Sequence, residues 1–540
     1  MFQEWRGQTL VDVLDYAART WPENVAVSDG DRSWTYAALR ARAHEVACGL
    51  TALGVRRGDH VAYLMGVGIG WVETYFAALR LGAVLVPLNL VWEPRELAHA
   101  LRATNANFVI VGKQHRGAAL LDRITAALNM MSDDTAAAEH VMPTVISFEG
   151  SGNDNGVQSL RLAVERAGGE MDGYYRLPRP DERALLLMTS GSTSFPKPVI
   201  HSHQAMLAGI ASYADGLEIG TSDAFLHTTP NYHVGGIITM VAPLLRGARV
   251  RLMSWFNPAD AMRWIAEDKI TLLWGFDTHF AMMRQDESYG RYDLSSVTRT
   301  MVAANPGSFD AIRDMGFGHV GSLYGSTEYM GSQSFFPYRD RFDTVRMKQS
   351  HGRPMSAEIR IVDPKSGNEC SAGIAGEICV RGPALFGGYF GMPDETARCM
   401  DDEGFFHSGD IGWVDEDGYV YYQGRFKEMI KTGGENVSAL EIEAFLTAAV
   451  PAIRRVIVCG TPHDRWGEAV TALIEPEPAT QLGERDVIDA CRGQLAGYKI
   501  PKRITFVDPS DWVITPTGKL DRRIAQRIAL DRFAAIDNSN

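Results

Sequence analysis

Apolar positions in the first 180 residues alternate between helical and strand-like spacing. Residues 36–53 carry apolar side chains at helical spacing, whereas 60–65 is a short apolar run that predicts a buried strand. The alternation continues with a helix at 71–81 and strands at 83–88 and 108–111. Strands that alternate with helices favour a parallel sheet covered by helices on both faces, so we predict an α/β fold here.

The pattern changes twice further along the chain. A second α/β stretch is followed by short strands with turn signals at 356–424, and mixed helices and strands return from 428 onward. We therefore predict a large N-terminal domain of two helix-covered α/β subdomains plus a small β-barrel-like unit, followed by a small α+β domain. The predicted bounds are 1–425 for the large domain, with subdomains at about 1–180, 181–350 and 351–425, and 426–540 for the small one.

Composition narrows the class of protein. The chain has 540 residues, too many for one hydrophobic core, and its formal net charge of −13 implies no basic surface for nucleic acid. The six cysteines lack zinc-site spacing, which indicates reduced thiols. The N-terminus has no signal-peptide pattern, and the uncharged run 224–245 contains prolines, histidines and an asparagine that argue against a membrane span. We expect a soluble, cytoplasmic enzyme.

A loop rich in hydroxyls follows the apolar run 184–188. Its residues are Thr189, Ser190, Gly191, Ser192 and Thr193, with Lys197 shortly after them. Backbone N–H groups, hydroxyls and a lysine can together hold phosphate oxygens. The spacing differs from that of a Walker A loop, and a plain Ser/Thr-rich surface loop is the alternative.

Three further segments carry candidate chemistry. In 323–328, Tyr324 can stack on a purine and Glu328 can hold Mg²⁺. Asp410 follows a glycine and can accept two ribose hydroxyls, with Arg425 as an added donor. A tight turn at 515–520 presents Lys519. Each segment taken alone also fits an ordinary strand-end or solvated turn.

In this order and spacing the segments resemble the acyl-adenylate-forming superfamily of acyl- and aryl-CoA synthetases. The family's Y-G-x-T-E motif matches 324–328, its T-G-D motif is similar to 408–410, and its P-x-G-K motif matches 516–519. The hinge block G-R-x-[DK]-x-x-[IL]-K matches 424–431, and the phosphate loop T-S-G-[ST]-T-G-x-P-K-G resembles 189–198. The likeness extends over roughly residues 10–525.

The resemblance implies two half-reactions and a role for each matching residue. An acid and ATP would form acyl-AMP and pyrophosphate, and coenzyme A would then take the acyl group. Lys519 would be the main catalytic residue, with Thr189 and Lys197 on the phosphates and Glu328 on Mg²⁺. Lys427 would be the hinge about which a mobile small domain rotates. The other residues implied to bind ATP or coenzyme A are Ser190, Gly191, Ser192, Thr193, Ala304, Asn305, Tyr324, Gly325, Thr327, Asp410, Arg425, Lys431, Gly433 and Gly434.

The resemblance also implies a largely apolar acyl pocket. Its predicted lining is His233, Val234, Gly235, Trp274, Phe276, Asp277, Ala303, Tyr329, Met330 and Gly331. For His233 a gating or packing role is favoured over that of a general base. Asp277 is either the N-cap of a helix from Thr278 onward or a contact to a polar group of the substrate.

Several alternatives stay open at this stage. Ser194 and Pro198 stand where the family has glycine, which removes backbone freedom and one N–H donor from the phosphate loop. The acceptor could be an amine or a carrier protein instead of coenzyme A. Luciferase-like oxygenation and a non-catalytic acyl-binding relative are the other readings, and a homodimer is neither indicated nor excluded.

Overall fold

A computed structural model describes residues 2–115, 117–132, 141–150, 157–168, 177–189, 196–302, 309–426, 429–432, 435–463, 465–478, 480–492, 494–513 and 520–537. Up to residue 202 the elements are α1 (Leu10–Thr20), β1 (Val25–Asp29), β2 (Arg32–Thr35), α2 (Tyr36–Ala52), β3 (His60–Leu64), α3 (Ile69–Leu81), β4 (Val84–Pro87), α4 (Pro94–Ala103), β5 (Phe108–Val111), β6 (Gln114–His115), β7 (Ala118–Ala119), α5 (Leu120–Ser132), β8 (Thr144–Ser147), β9 (Gln158–Ser159), α6 (Leu160–Ala167), β10 (Arg183–Met188) and β11 (Pro198–Ser202).

The next stretch runs to residue 354. Its elements are α7 (His203–Gly216), β12 (Ala224–His227), α8 (Val234–Leu245), β13 (Arg249–Leu252), α9 (Pro258–Glu267), β14 (Leu272–Gly275), α10 (Asp277–Gln285), β15 (Arg299–Val302), α11 (Phe309–Arg313), β16 (His319–Tyr324), β17 (Ser334–Phe335), α12 (Thr344–Met347) and β18 (Arg353–Pro354).

The remaining elements belong to a small β unit and to the C-terminal region. They are β19 (Glu358–Val362), β20 (Gly376–Arg381), α13 (Pro393–Arg398), β21 (Phe406–Val414), β22 (Val420–Arg425), β23 (Ile430–Thr432), β24 (Glu435–Val437), α14 (Ala439–Ala449), β25 (Ile453–His463), β26 (Gly467–Pro476), α15 (Glu484–Cys491), β27 (Arg503–Phe506) and α16 (Arg522–Asp537).

Two large sheets make up most of the N-terminal region. One has seven strands in the order β11-β10-β4-β3-β5-β8-β9, and only its β10–β11 pair is antiparallel. Strand β3 shows why the sheet is covered on both sides: Val61 and Tyr63 enter one core, and Ala62 and Leu64 enter another. A strand buried on both faces reads as a continuous apolar run, so the predicted helix-covered parallel sheet is confirmed.

The second large sheet has nine strands in the order β18-β17-β16-β15-β14-β12-β13-β1-β2. Its first-listed neighbours in the chain, β12 to β16, are parallel, and β1 pairs in parallel with β13. Sheet membership therefore crosses residue 180 in both directions, since β1 and β2 join this sheet and β10 and β11 join the other. The two sheets do not follow the predicted division at 180, while the domain boundary near 425 stays a prediction.

Smaller sheets complete the fold. Strands β19 to β22 form a four-stranded antiparallel sheet, as the short strands in the sequence predicted. The C-terminal region has a five-stranded sheet with its own apolar core against α14 and α15. No helix among the described residues is long and apolar enough to cross a membrane.

Candidate functional site

A buried carboxylate on the small β unit meets the end of a strand from the nine-stranded sheet. Asp410 lies on β21 directly opposite Arg425 on β22. The Arg425 Nε donates to Asp410 Oδ1 over 3.1 Å, and the Tyr324 hydroxyl, at the end of β16, donates to Oδ2 over 2.7 Å. The ring of Tyr422 stacks on Tyr324 with 5.3 Å between centroids. We call Tyr324, Asp410, Tyr422 and Arg425 the Asp410 cluster.

Burial and charge act in opposite directions on this carboxylate. Asp410 is 3% exposed, and its loss of water raises its pKa above the usual range. The neighbouring Arg425 guanidinium and the Tyr324 hydroxyl each lower that pKa again. Burial, together with the Asp410 charge, raises the pKa of Tyr324 well above its usual value, so this phenol stays a hydrogen-bond donor. The cluster is a ready-made set of polar groups in a dry place.

The turn that precedes Asp410 is held by a residue that the motif does not contain. Glu377 on β20 accepts from the Gly409 N–H over 3.0 Å and from His407 Nδ1 over 2.8 Å. Gly409 has φ +71°, a left-handed conformation that glycine adopts without strain. Glu377 therefore fixes the backbone from which Asp410 projects.

A second group of polar side chains surrounds Lys197. The Lys197 Nζ lies 2.7 Å from Glu395 Oε2 and 5.1 Å from the centre of the Tyr389 ring. The Tyr389 hydroxyl donates to Glu328 Oε1 over 2.8 Å. We call Lys197, Glu328, Tyr389 and Glu395 the Lys197 cluster.

One short segment joins the two clusters. Tyr324 and Glu328 lie four positions apart and reach the Asp410 cluster and the Lys197 cluster respectively. Between them the backbone passes so close to Gly331 that a Cβ on Gly325 would lie 1.9 Å from the Gly331 carbonyl oxygen. Only glycine fits at 325, so the predicted motif residues Tyr324, Gly325 and Glu328 are held in one compact turn.

Two hydroxyl-bearing residues of the predicted site have structural contacts. Thr189 accepts from the Lys197 N–H with its Oγ1 over 3.2 Å, and its own N–H donates to the Lys197 carbonyl over 2.9 Å. These bonds close the neck of the loop between them. The Thr327 carbonyl accepts from the buried His201 Nε2 over 2.8 Å. Burial lowers the His201 pKa to about 4, so this histidine is neutral.

Part of the predicted acyl pocket comes together around α8 and β14. A Cβ on Gly235 would lie 3.2 Å from the Trp274 ring, and one on Gly331 would lie 2.9 Å from Val234 Cγ1. Trp274 also packs edge-on against Phe276, with 4.8 Å between ring centroids. These five residues form an apolar surface beside the segment that carries Glu328.

Other predicted pocket residues point to different neighbours. Tyr329 is fully buried and its hydroxyl donates to the Ser356 carbonyl over 3.1 Å. Met330 packs against the backbone of Gly209 on α7. His233 is the N-cap residue of α8, and its ring lies 4.6 Å from that of Tyr232. Their recorded contacts are packing contacts, as favoured for His233.

The capping interpretation of Asp277 is wrong. Helix α10 begins at Asp277, and the N-cap residue is Phe276. Asp277 is therefore the first residue inside the helix, where a carboxylate interacts favourably with the positive end of the helix dipole. The misplacement by one position arises because an aspartate is favoured both at the cap and in the first turn.

Several predicted residues lie outside the described residues, namely Ser190, Gly191, Ser192, Thr193, Ala303, Ala304, Asn305, Lys427, Gly433, Gly434 and Lys519. The departing residue Ser194 is among them too. Lys431 is described on β23, where its N–H donates to Glu468 Oε2 over 2.6 Å. The roles of all these residues stay predictions.

Comparison with known proteins identifies the family. The model of the family described as AMP-binding enzyme matches residues 14–390, and that of the AMP-binding enzyme C-terminal domain matches 441–519. Feruloyl-CoA synthase from an Amycolatopsis species is 31% identical over 496 residues, covering 91% of this chain and 93% of that protein.

Two more comparisons bear on the fold and on the range of acceptors. The fatty acid–[acyl-carrier-protein] ligase ScoC from Streptomyces coeruleorubidus is 30% identical over 526 residues, covering 96% of this chain and 95% of that protein. The crystal structure of ATP-bound MatB from Rhodopseudomonas palustris is similar with a TM-score of 0.83 and 27% identity, over 97% of this chain and 99% of that one. Both likenesses extend over nearly the whole length of each chain.

Proposed function

Because the chain belongs to the AMP-binding enzyme family, we propose that it activates a carboxylic acid with ATP and passes the acyl group to coenzyme A. The observation that carries this proposal is the single turn from Tyr324 to Glu328, which contacts the Asp410 cluster at one end and the Lys197 cluster at the other. Residues suited to a nucleoside and residues suited to phosphates thus lie side by side.

In the first half-reaction a carboxylate oxygen of the acid bonds to the α-phosphorus of ATP, and pyrophosphate leaves. The requirement is positioning and charge neutralisation rather than acid–base chemistry. Asp410 would accept the ribose hydroxyls, and Lys197 would hold the outer phosphates. Lys519 would bridge the carboxylate and the α-phosphate. A purine on Tyr324 would use the ring face opposite Tyr422.

The donor set around Glu328 fits Mg²⁺. This metal is held in nucleotide sites by one or two carboxylates, phosphate oxygens and water, and Glu328 supplies a carboxylate whose Oε1 is oriented by Tyr389. Bound there, Mg²⁺ would neutralise phosphate charge. Glu328 would hold it, and Tyr389 would keep that carboxylate in one orientation.

In the second half-reaction the thiolate sulfur of coenzyme A bonds to the acyl carbon and AMP leaves. The small domain would rotate about Lys427 between the two steps and bring Gly433 and Gly434 toward the acyl-adenylate. Coenzyme A as acceptor is supported by the relatives named as CoA synthases. A carrier-protein acceptor is the second candidate, supported by the 30% identity to ScoC.

The substrate we propose is an apolar or aromatic acid. The described surface near Glu328 consists of Val234, Gly235, Trp274, Phe276 and Gly331, which offers packing and little polar recognition. A relative named as a feruloyl-CoA synthase and another named as a fatty acid ligase agree with such a pocket.

Pyrophosphate release across a panel of aliphatic, aromatic and amino acids tests the first half-reaction. We expect release that requires ATP, Mg²⁺ and an apolar or aromatic acid, and a thioester product when coenzyme A is added. Turnover of amino acids alone would overturn the proposed substrate class. Acyl transfer only to a carrier protein or an amine would overturn the acceptor.

Two lysine variants test the alternation between the half-reactions. Lys519→Ala should slow adenylation by about 10²–10³-fold, the range for the loss of one preorganised charge, and spare thioester formation from synthetic acyl-AMP. Lys427→Pro should restrict φ at the hinge and give the opposite pattern, with Lys427→Ala as the matched control that keeps the hinge free. If both variants lose the same step equally, a single fixed arrangement serves both reactions.

A further inference from the structure

Lys197 already has an anionic partner supplied by the chain itself. Its Nζ is 2.7 Å from Glu395 Oε2, and the two side chains are 22% and 31% exposed. The hydrogen bond and charge of Lys197 lower the pKa of Glu395, so the pair is ionised at neutral pH. The cation that would hold ATP phosphates is thus occupied by a carboxylate.

The scaffold makes this pairing a built feature of the site. Residues 386–390 lie along β11 as an added strand, with the Gly387 N–H donating to the Ile200 carbonyl and the Phe390 N–H to the Pro198 carbonyl, both over 2.8 Å. The Tyr389 N–H donates to Thr396 Oγ1 over 2.9 Å and so anchors α13, the helix that carries Glu395. Lys197 immediately precedes β11, which sets the distance between the two charges.

Glu395 also has a second cation within reach. Its Oε1 pairs with Arg398, one turn further along α13. If Lys197 turns away, Glu395 keeps a counter-ion and is not left with an uncompensated charge. A lysine is suited to such an exchange because its ammonium is a compact charge on a flexible stem.

We propose that Glu395 is an exchangeable counter-ion that holds Lys197 in the absence of nucleotide and yields it to the triphosphate of ATP. This inference rests on the proposed function, since it assumes that Lys197 meets the outer phosphates. Glu395 competes with those phosphates for one cation. It therefore weakens the binding of ATP and of pyrophosphate, and it takes Lys197 back when pyrophosphate leaves.

AMP separates this role from a general structural one. AMP lacks the β- and γ-phosphates, so its binding does not depend on Lys197 in this proposal. Removing the Glu395 charge should tighten the binding of ATP and pyrophosphate and leave that of AMP unchanged. Altered folding or altered packing of the nucleoside would change all three.

Isothermal titration calorimetry of the full chain with Mg²⁺ and each of ATP, AMP and pyrophosphate, without acid substrate, tests the proposal. For Glu395→Gln we expect the Kd of ATP to fall by about three- to fivefold, the upper part of the range for an exposed ion pair. The control Asp394→Asn removes the same charge from an exposed neighbour on α13 and should change the Kd by less than about twofold.

The background without the lysine completes the test. In Lys197→Ala, adding Glu395→Gln should change ATP binding no more than Asp394→Asn does, because the competition no longer exists. Equal effects of Glu395→Gln and Asp394→Asn, weaker ATP binding in Glu395→Gln, or equal tightening of AMP would each overturn the counter-ion proposal. If the unsubstituted protein fails to bind ATP, the proposed function itself is wrong.

Discussion

The Asp410 cluster and the Lys197 cluster are built in opposite ways. Asp410 is buried between strand residues, and both of its oxygens accept from side chains on β16 and β22. Lys197 lies on a flexible, partly exposed side chain whose partner, Glu395, has another cation available. The first cluster is preorganised, and the second is exchangeable.

This difference matches what each half of the nucleotide does in the proposed reaction. The nucleoside stays bound as ATP becomes acyl-AMP, so a fixed pocket suits it. The outer phosphates arrive and leave in every cycle, and a cation that can change partners suits them. Binding of ATP compared with AMP therefore distinguishes the two clusters experimentally.

The largest effect is expected for Asp410→Ala. It should weaken ATP and AMP equally, by about 100-fold, because two hydrogen bonds to a charged group are lost and each contributes about 1.5–3 kcal/mol. Calorimetric Kd values measure this, with the exposed Asp402→Ala as control and thermal unfolding to verify folding. A loss confined to ATP would contradict the assignment of this cluster to the nucleoside.

Lys197→Ala should give a smaller and selective effect. We expect the Kd of ATP to rise by about tenfold, or about 1.4 kcal/mol, while the Kd of AMP is unchanged. Lys197→Arg keeps the charge and should lose less. Equal weakening of AMP would show that Lys197 does not distinguish the outer phosphates.

Tyr389→Phe should raise the Mg²⁺ concentration needed for half-maximal pyrophosphate release by about fivefold. It removes the hydroxyl that donates to Glu328 Oε1, and a hydrogen bond to a charged group is worth about 1.5 kcal/mol or more before water replaces it. Tyr421→Phe is the matched control, since it removes a hydroxyl bonded to Asp415 instead. An unchanged Mg²⁺ requirement would separate Tyr389 from the metal.

The smallest effect concerns pH. Arg425 lowers the pKa of Asp410, so Arg425→Gln should let this pKa rise further and protonate the carboxylate at a higher pH. AMP binding should then be lost at a higher pH as the solution is acidified, whereas Arg425→Lys should behave nearly as the unsubstituted chain does. A shift toward lower pH would contradict the direction assigned to Arg425.

Local pattern predicted much of the fold. The apolar spacing at 36–53 and 71–81 became α2 and α3, and the run at 60–65 became β3, because periodicity reports which face of an element is buried. The short strands of the β unit were also predicted. The mixing of strands across residue 180 was not, since the partner of a strand is set by contacts distant in the sequence.

The candidate site divides in the same way. Tyr324, Glu328, Asp410 and Arg425 were found because their motifs lie in short, recognisable segments. Glu377, Tyr389 and Glu395 were missed, although a conspicuous Gly-Gly-Tyr turn at 387–389 precedes the last of them. Each acts on a residue more than 25 positions away, and no local pattern records that contact.

The sequence by itself determined the family, the alternating α/β elements and the residue types for nucleotide chemistry, because these depend on short-range order along the chain. Only the tertiary structure decided which charges meet. It placed Glu395 on Lys197 and Tyr389 on Glu328, and it set Asp277 inside its helix. Ion pairs and hydrogen bonds form between groups that packing brings within about 3 Å, and packing is a property of the whole fold.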